Sequence, residues 1–109
     1  MMPLKPLVFE ILLALGDEPR HGWDLVGDVE ARLGGEPLLP GNFYRTLRRM
    51  LSDGLIAEAS RPRGSHDAAA LRRRYFQLTP SGERLARAEA RRLAALLDDR
   101  RARKLLKAR

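Results

Sequence analysis

The sequence predicts a mainly α-helical fold that carries one small β-hairpin, and three observations support this prediction. Apolar residues recur at helical spacing in four stretches, which glycine or proline residues separate. Two short segments that alternate between apolar and polar residues flank a loop of turn-forming residues. The chain has 109 residues, which is enough for one small domain with an added helix.

The first helix is predicted near the start of the chain, where apolar residues follow a regular helical spacing. Gly16 comes directly after this pattern and is typical of a helix end. We therefore expect one wide apolar face that packs into the core. Its members are Leu4, Leu7, Val8, Ile11, Leu12 and Leu15.

The second helix is predicted to begin after His21 and to end before Gly34. No second histidine or carboxylate stands at metal-ligand spacing from His21, so a role at the helix start is expected for it. The single tryptophan could be a ligand-stacking ring, but a tryptophan at the start of an amphipathic helix is more often a core residue. The predicted apolar face comprises Trp23, Val26, Val29 and Leu33.

The third helix is predicted from the turn Pro40-Gly41-Asn42, where Asn42 can cap free backbone N–H groups, up to Gly54. Its polar side is rich in arginine and free of acids, with Arg45 nearly opposite the apolar face. A helix that is buried on one side and offers arginines on the other suits DNA reading, whereas a merely solvated helix is the alternative. The apolar face comprises Phe43, Leu47, Met50 and Leu51.

A β-hairpin is predicted from two short strands, at residues 55–60 and 72–79. Phe76 and Leu78 share one face of the second strand, while Tyr75 and Gln77 share the other. The loop between the strands, at residues 61–71, is long for a hairpin and basic. The arginines in and beside it are Arg61, Arg63, Arg72, Arg73 and Arg74.

The last helix is predicted to start with Thr79 as N-cap and Pro80 as first helical residue, and to run almost to the end of the chain. A helix this long cannot bury its apolar stripe on so small a core, so pairing with a second copy is expected. Folding back along its own domain is the alternative. We expect two units, residues 1–79 and 80–109. The stripe comprises Leu85, Ala86, Ala90, Leu93, Leu96 and Leu97.

Composition excludes several classes of protein. The chain has no cysteine, so it has no disulfide, thiolate zinc site or cysteine nucleophile. It shows no nucleophile–base set and no phosphate-binding glycine motif, so we expect neither an enzyme nor a bound cofactor or metal. No apolar run spans a bilayer, and the N-terminal segment contains Glu10 without a cleavage site after it. We therefore expect a cytoplasmic protein without membrane contact.

Charge is unevenly distributed along the chain. Its formal net charge is +7, and residues 61–109 hold fifteen basic and five acidic groups while residues 1–60 hold six basic and nine acidic groups. A basic half of this kind favours a polyanionic partner. Most of the positive charge is arginine, whose planar fork suits phosphates and guanine edges.

The predicted order is three helices, a hairpin and a long helix. The first four elements match the winged helix-turn-helix arrangement, in which the third helix reads DNA and the hairpin is the wing. The arginine clusters lie where this arrangement needs them. The sequence therefore predicts binding to double-stranded DNA at a pseudo-palindromic operator. The predicted contact residues are Asn42, Tyr44, Arg45, Arg48, Arg49, Arg72, Arg73 and Arg74.

These motifs also give the chain a resemblance to the PadR-like transcriptional regulators. His21-Gly22-Trp23 stands where that family usually reads His-Gly-Tyr, and Pro40-Gly41-Asn42-Phe43-Tyr44 stands where it usually reads Pro-Gly-Thr-Leu-Tyr. Residues 47–56 resemble the end of the family's reading helix, and residues 74–82 resemble its second wing strand running into the dimerisation helix. The resemblance covers roughly residues 4 to 97.

This resemblance implies a homodimeric bacterial repressor, in which the last helix pairs with its mate and with the first helix of the other subunit. Some small members bind flat aromatic compounds, so a small aromatic effector is a further expectation. A winged-helix module that binds protein or senses a ligand without specific DNA binding is the alternative. The expected dimer-interface residues are Leu7, Ile11, Leu85, Leu93, Leu96 and Leu97.

Overall fold

The computed structural model describes residues 3–35, 37–59 and 74–107. Its elements follow the predicted order of three helices, a hairpin and a helical C-terminal region, which is the winged helix-turn-helix arrangement. The predicted loop at residues 61–71, with Arg72 and Arg73 beside it, lies outside the described residues. The helices are α1 (Pro6–Ala14), α2 (Gly22–Arg32), α3 (Pro40–Ser52), α4 (Pro80–Asp98) and α5 (Arg100–Lys107), and the strands are β1 (Arg20–His21), β2 (Ile56–Glu58) and β3 (Tyr75–Leu78).

The three strands form one antiparallel sheet in the order β1-β3-β2. Strands β2 and β3 are the predicted hairpin, with Ile56 opposite Leu78 and Glu58 opposite Phe76. Strand β1 was not predicted, because its two residues, Arg20 and His21, are too few to show an alternating pattern. It pairs with the other edge of β3 and so joins the start of α2 to the sheet.

The hydrophobic core lies between α1, α2, α3 and the sheet. It confirms the predicted apolar face of α3, since Phe43, Leu47 and Met50 are buried and Leu51 is half-buried. On α1 the later part of the predicted face is buried, while Leu4, Leu7 and Val8 pack at its margin. The buried apolar residues are Ile11, Leu12, Ala14, Leu15, Leu25, Val29, Phe43, Leu47, Met50, Ile56 and Phe76.

The predicted core role of Trp23 is wrong, because its side chain is 71% exposed. The buried face of α2 is formed by Gly22, Leu25 and Val29 instead. Gly22 lies close to the rings of β3 and α3, and this contact sets the rotation of the helix about its axis. Trp23 is one residue further along, at about 100° around the helix, and therefore points away from the core.

Helix α3 begins three residues earlier than it would with Asn42 as its N-cap. Leu39 is the N-cap residue, and no side chain caps this end. Pro40 suits the first helical position because its missing N–H has no partner there in any helix. Asn42 therefore lies within the first turn, where its carbonyl oxygen accepts a hydrogen bond from Thr46 Oγ1 at 2.9 Å.

The predicted start of α4 is confirmed. Thr79 is its N-cap residue, and Thr79 Oγ1 accepts a hydrogen bond from the Gly82 N–H at 3.0 Å. The same hydroxyl donates to the Gly54 carbonyl oxygen at 2.6 Å, and the Thr79 N–H donates to the Leu55 carbonyl oxygen at 3.2 Å. One residue therefore caps α4 and ties it to the turn that follows α3.

The prediction of one uninterrupted C-terminal helix is wrong. Helix α4 ends at Asp98, and Asp99 is extended, with φ −62° and ψ 139°. The Asp99 carboxylate accepts a hydrogen bond from the Arg101 N–H at 2.7 Å, which caps the start of α5. Aspartate favours such a cap over a position inside a helix, because its short side chain competes for backbone N–H groups.

Helix α4 packs against α1, and its first turn lies close to Leu55, just after the end of α3. Gly82, in its first turn, lies against Leu55, and a Cβ atom at this position would be 2.0 Å from the Leu55 carbonyl oxygen. Because that neighbour is backbone and cannot turn aside, only glycine fits here without a shift of the chain.

We expect Gly82→Ala to lower the free energy of unfolding by about 1–3 kcal/mol, since α4 must move away from Leu55. Gly27→Ala, in the interior of α2, is the matched control because nothing lies within 4 Å of its Cβ position. That variant should gain up to about 1 kcal/mol from helix propensity. Urea unfolding measures both, and equal effects of the two substitutions would contradict the close packing at Gly82.

Candidate nucleic-acid interface

The outer surface of α3 carries the side chains that the sequence predicted for DNA contact. Phe43, Leu47 and Met50 hold the helix to the core, so the residues between them face outward. The Tyr44 ring packs edge-on against Phe43, with 5.4 Å between ring centroids, and is 40% exposed. The α3 outer surface is hereafter Asn42, Tyr44, Arg45, Arg48 and Arg49, which are all exposed.

The three arginines of the α3 outer surface differ in how they are paired. Arg49 lies 3.5 Å from the Asp53 carboxylate, one helical turn away, so part of its charge is compensated. Arg45 and Arg48 form no ion pair with any acid among residues 3–35, 37–59 and 74–107. Their guanidinium groups are therefore available to an external anion.

A cleft of about 310 Å³ brings the wing strand next to α3. Arg74, at the start of β3, faces Arg48 across this cleft and is paired with Glu58 at 3.3 Å. The Gly22 N–H donates to the Arg74 carbonyl oxygen at 3.0 Å, which fastens the start of α2 to the same place. The cleft is lined by Gly22, Tyr44, Leu47, Arg48, Leu51, Arg74 and Phe76.

The start of α2 is held by His21, as predicted. His21 is the N-cap residue, and its Nδ1 atom accepts a hydrogen bond from the Asp24 N–H at 3.2 Å. Its Nε2 atom lies 2.9 Å from the Asp24 carboxylate, and its ring packs edge-on against Tyr75 of β3. These contacts give His21 a structural role next to the cleft that Arg48 and Arg74 line.

A second cleft, of about 590 Å³, lies on the other side of α3. The N-terminal segment and α1 form one wall of it, and Asn42, Arg45 and Arg49 lie on the opposite wall. Lys5 adds a further positive charge at this site. The remaining lining residues are mainly apolar and comprise Pro3, Leu4, Leu7, Val8, Thr46, Met50, Asp53, Leu55 and Leu85.

A buried carboxylate on α4 anchors the N-terminal wall of the second cleft. Glu89 is only 2% exposed, and its Oε2 atom accepts a hydrogen bond from the Leu4 N–H at 3.2 Å. Arg92 forms two further hydrogen bonds to it, at 2.6 and 2.8 Å. The Arg92 hydrogen bond holds the pKa of Glu89 below its ordinary value despite burial, and the bond from Leu4 acts in the same direction. The hydrogen bond to Glu89 in turn raises the pKa of Arg92.

Glu89 was not among the predicted functional residues, although a signal for it exists. It stands four residues after Leu85 and four before Leu93, so it occupies the apolar stripe of α4. An acid on that stripe with an arginine three residues later is typical of a carboxylate buried with its own partner.

The predicted dimer-interface residues fall into three groups. Ile11 is fully buried in the core of its own chain and offers no surface to a second copy. Leu7, Leu85 and Leu93 are half-buried. Leu96 and Leu97, near the end of α4, are 51% and 57% exposed, so their side chains are accessible to a partner.

The described ranges contain neither a cluster of metal-ligating side chains nor a membrane-spanning helix. No three histidine, cysteine, aspartate or glutamate side chains there come together in a way that could hold a metal ion. None of the helices in those ranges combines the length and the apolar character that crossing a membrane requires.

Comparison with protein families decides the family of this chain. The model of the transcriptional regulator PadR-like family matches residues 11–88. The chain belongs to the PadR-like family of transcriptional regulators. The resemblance seen in the sequence motifs is thereby confirmed. A comparison with curated protein sequences finds no match.

Solved structures of PadR-like and related regulators share this fold. A PadR-like transcription factor from Bacteroides fragilis is 25% identical, with a TM-score of 0.62 over 84% of this chain and 86% of that one. RosR from Halobacterium salinarum is 23% identical, with a TM-score of 0.65 over 95% of this chain and 87% of that one. Bacillus subtilis PadR in complex with operator DNA is 21% identical, with a TM-score of 0.62 over 79% of this chain and 47% of that one.

Glu89→Gln should change how stability depends on pH. A carboxyl whose folded pKa is depressed stabilises the fold above its unfolded pKa of about 4.3, and this contribution is lost as pH falls through the folded pKa. The wild type should therefore exceed Glu89→Gln in free energy of unfolding most clearly above about pH 5, and the difference should shrink in acid. Urea unfolding between neutral and acid pH measures it, and a difference that stays constant would contradict the Glu89–Arg92 pairing.

Proposed function

We propose that this PadR-like regulator is a sequence-specific DNA-binding protein that acts as a homodimeric repressor in the bacterial cytoplasm. The observation that carries the proposal is the α3 outer surface. It combines two arginines that pair with no acid in the described part of the chain with an exposed amide and a phenol, on a helix whose other face is fixed in the core. Major-groove reading requires this combination of rigidity and exposed donors.

The proposed DNA contacts are of two kinds, those of α3 in the major groove and those of the wing arginines. Arg45, Arg48 and Asn42 reach base edges or adjacent phosphates in the major groove, and Tyr44 lies at the border between the core and DNA. Arg74, with Arg72 and Arg73 next to it in sequence, follows phosphates or enters the minor groove and adds affinity more than sequence choice. The fold shared with Bacillus subtilis PadR, which was solved in complex with operator DNA, supports this placement of α3.

Dimerisation is proposed to use α4. The exposed Leu96 and Leu97, together with the half-buried Leu93, form an apolar surface on the last turns of this helix. Leu7 and Leu85 extend this surface toward α1. The chain is accordingly divided into a DNA-binding unit, residues 1–79, and a dimerisation unit, residues 80–109. Twofold symmetry places the two α3 helices about one DNA turn, some 34 Å, apart on a pseudo-palindromic operator.

A small aromatic effector that releases the repressor is part of the same proposal. Support for it comes from the family resemblance, since small members bind such compounds near the dimer interface. An apolar surface on α4 next to α1 is compatible with a flat ligand at that position.

Selection of fragments from sheared genomic DNA tests the proposal. Purified protein is mixed with the fragments at moderate salt, and the bound fragments are sequenced. The proposal predicts enrichment of a pseudo-palindrome and identifies the neighbouring genes at the same time. Binding without enrichment would contradict sequence-specific reading. The absence of binding, even at low salt, would favour the alternative of a protein-binding or ligand-sensing module.

Arg45→Ala should cost about 1–3 kcal/mol of binding free energy on the enriched sequence and relax the preference at one base position. The reason is that Arg45 faces outward with no acid among the described residues to hold it. Arg91→Ala is the matched control, because it removes the same charge from an exposed position on α4. Fluorescence anisotropy with operator variants measures both. Equal weakening on every sequence would reassign Arg45 to a phosphate contact.

Leu97→Glu should weaken the dimer by more than about tenfold, since it places a charge in the proposed apolar contact. Ala31→Glu, on α2, introduces the same charge at an exposed residue outside residues 80–109 and serves as control. Analytical ultracentrifugation gives the monomer–dimer equilibrium, and circular dichroism checks that both variants fold. A dimer that withstands Leu97→Glu, or a monomeric wild type, would contradict dimerisation through α4.

A further inference from the structure

Trp23 is the largest exposed aromatic side chain among the described residues, and neither the core nor the proposed dimer surface uses it. It is 71% exposed at the start of α2, on the side away from the buried face that Leu25 and Val29 form. An indole exposed to this extent gives up the stabilisation that burial would supply. Such a residue is typical of a binding surface.

Trp23 directly follows a residue that lines the cleft between α3 and β3. The preceding residue, Gly22, lines that cleft with Arg48 and Arg74, and the Gly22 N–H donates to the Arg74 carbonyl oxygen at 3.0 Å. Side chains on a helix lean toward its N-terminus, and the N-terminus of α2 is the end at this cleft. The indole therefore extends from the helix end that adjoins the cations of α3 and β3.

The chemistry of this position suits a phosphate backbone. The indole N–H is a donor without acceptor capacity, so it matches an anionic oxygen, and the ring offers an apolar surface to a deoxyribose. In a helix-turn-helix domain the second helix of the pair enters the major groove while the first helix crosses the backbone. Here these are α3 and α2.

Two acids in this part of the molecule, Asp24 next to Trp23 in sequence and Glu58 next to Arg74, are already engaged. The Asp24 carboxylate lies 2.9 Å from His21 Nε2, and Glu58 is paired with Arg74 at 3.3 Å. These contacts direct both negative charges toward protein groups, which reduces their repulsion of an approaching phosphate.

We propose that Trp23 is a DNA-contacting residue, whose indole N–H donates to a backbone phosphate at the edge of the groove that α3 enters, next to Arg48 and Arg74. This inference rests on the proposed DNA-binding function and adds a contact on α2. Because phosphates are the same in every sequence, the contact contributes affinity without base preference.

The single tryptophan of the chain makes the test direct. Its fluorescence is measured with the neutral quencher acrylamide, with and without a mixed-sequence duplex of about 30 base pairs at low salt. DNA should shield the indole and lower the quenching. In parallel, anisotropy of labelled duplex gives the affinity of Trp23→Ala and Trp23→Phe, with Leu13→Ala on α1, which is 38% exposed, as the control.

The expected result is a loss of about tenfold in affinity for Trp23→Ala, on every sequence alike. Trp23→Phe should lose an intermediate amount because it keeps the ring without the N–H. Leu13→Ala should bind like the wild type, and circular dichroism at the assay temperature should show that all variants are folded. If the wild type binds DNA while quenching and the affinity of Trp23→Ala stay unchanged, the inference is wrong and the proposed function stands. If the wild type binds no DNA, the proposed function itself is wrong.

Discussion

The junction between α3 and α4 is the constraint on which the rest of the structure depends. Thr79 caps α4 through the Gly82 N–H and at the same time bonds to the turn after α3, at Gly54 and Leu55. Gly82 has no Cβ, so α4 approaches the Leu55 backbone more closely than any other residue would permit. This junction sets the direction of α4 relative to α3. In the proposed dimer, that direction determines the spacing of the two α3 helices and hence of the two operator half-sites.

A second set of contacts connects α4 to the N-terminal segment, which lies on the other side of α3. Glu89 is buried because Arg92 and the Leu4 N–H supply its hydrogen bonds, and removal of Arg92 would leave a buried charge without compensation. The segment that Glu89 holds forms one wall of a cleft whose opposite wall includes Arg45 and Arg49. Together, these contacts connect α4 to the turn after α3 and to the N-terminal segment that lines the second cleft with Arg45 and Arg49. A change at α4 therefore has a physical route to the α3 outer surface.

The sequence predicts the elements that repeat a pattern and misses those that depend on a single contact. The faces of α1 and α3, the hairpin and the Thr79 start of α4 follow from spacing and capping, which are local properties. Strand β1 is only two residues long, and the exposure of Trp23 depends on how Gly22 packs against β3, which no local pattern records. Asp99, where the C-terminal helix breaks, is a local signal for a helix start. The prediction missed it because it gave more weight to the long apolar stripe. The outward position of Arg45 and Arg48 could be predicted, but the Glu89 anchor was overlooked because an acid and arginine at this spacing also suit a solvated surface.

The central claim is that the exposed arginines of α3 and β3 hold the phosphate backbone of DNA. The salt dependence of wild-type binding to a DNA duplex tests this claim most directly, because each neutralised phosphate releases counterions. The affinity should fall by at least about a hundredfold between roughly 50 and 200 mM salt, and the logarithm of the binding constant should fall linearly with the logarithm of salt concentration. An affinity that hardly changes over this range would contradict the claim, since it would mean that the arginines do not contact phosphates.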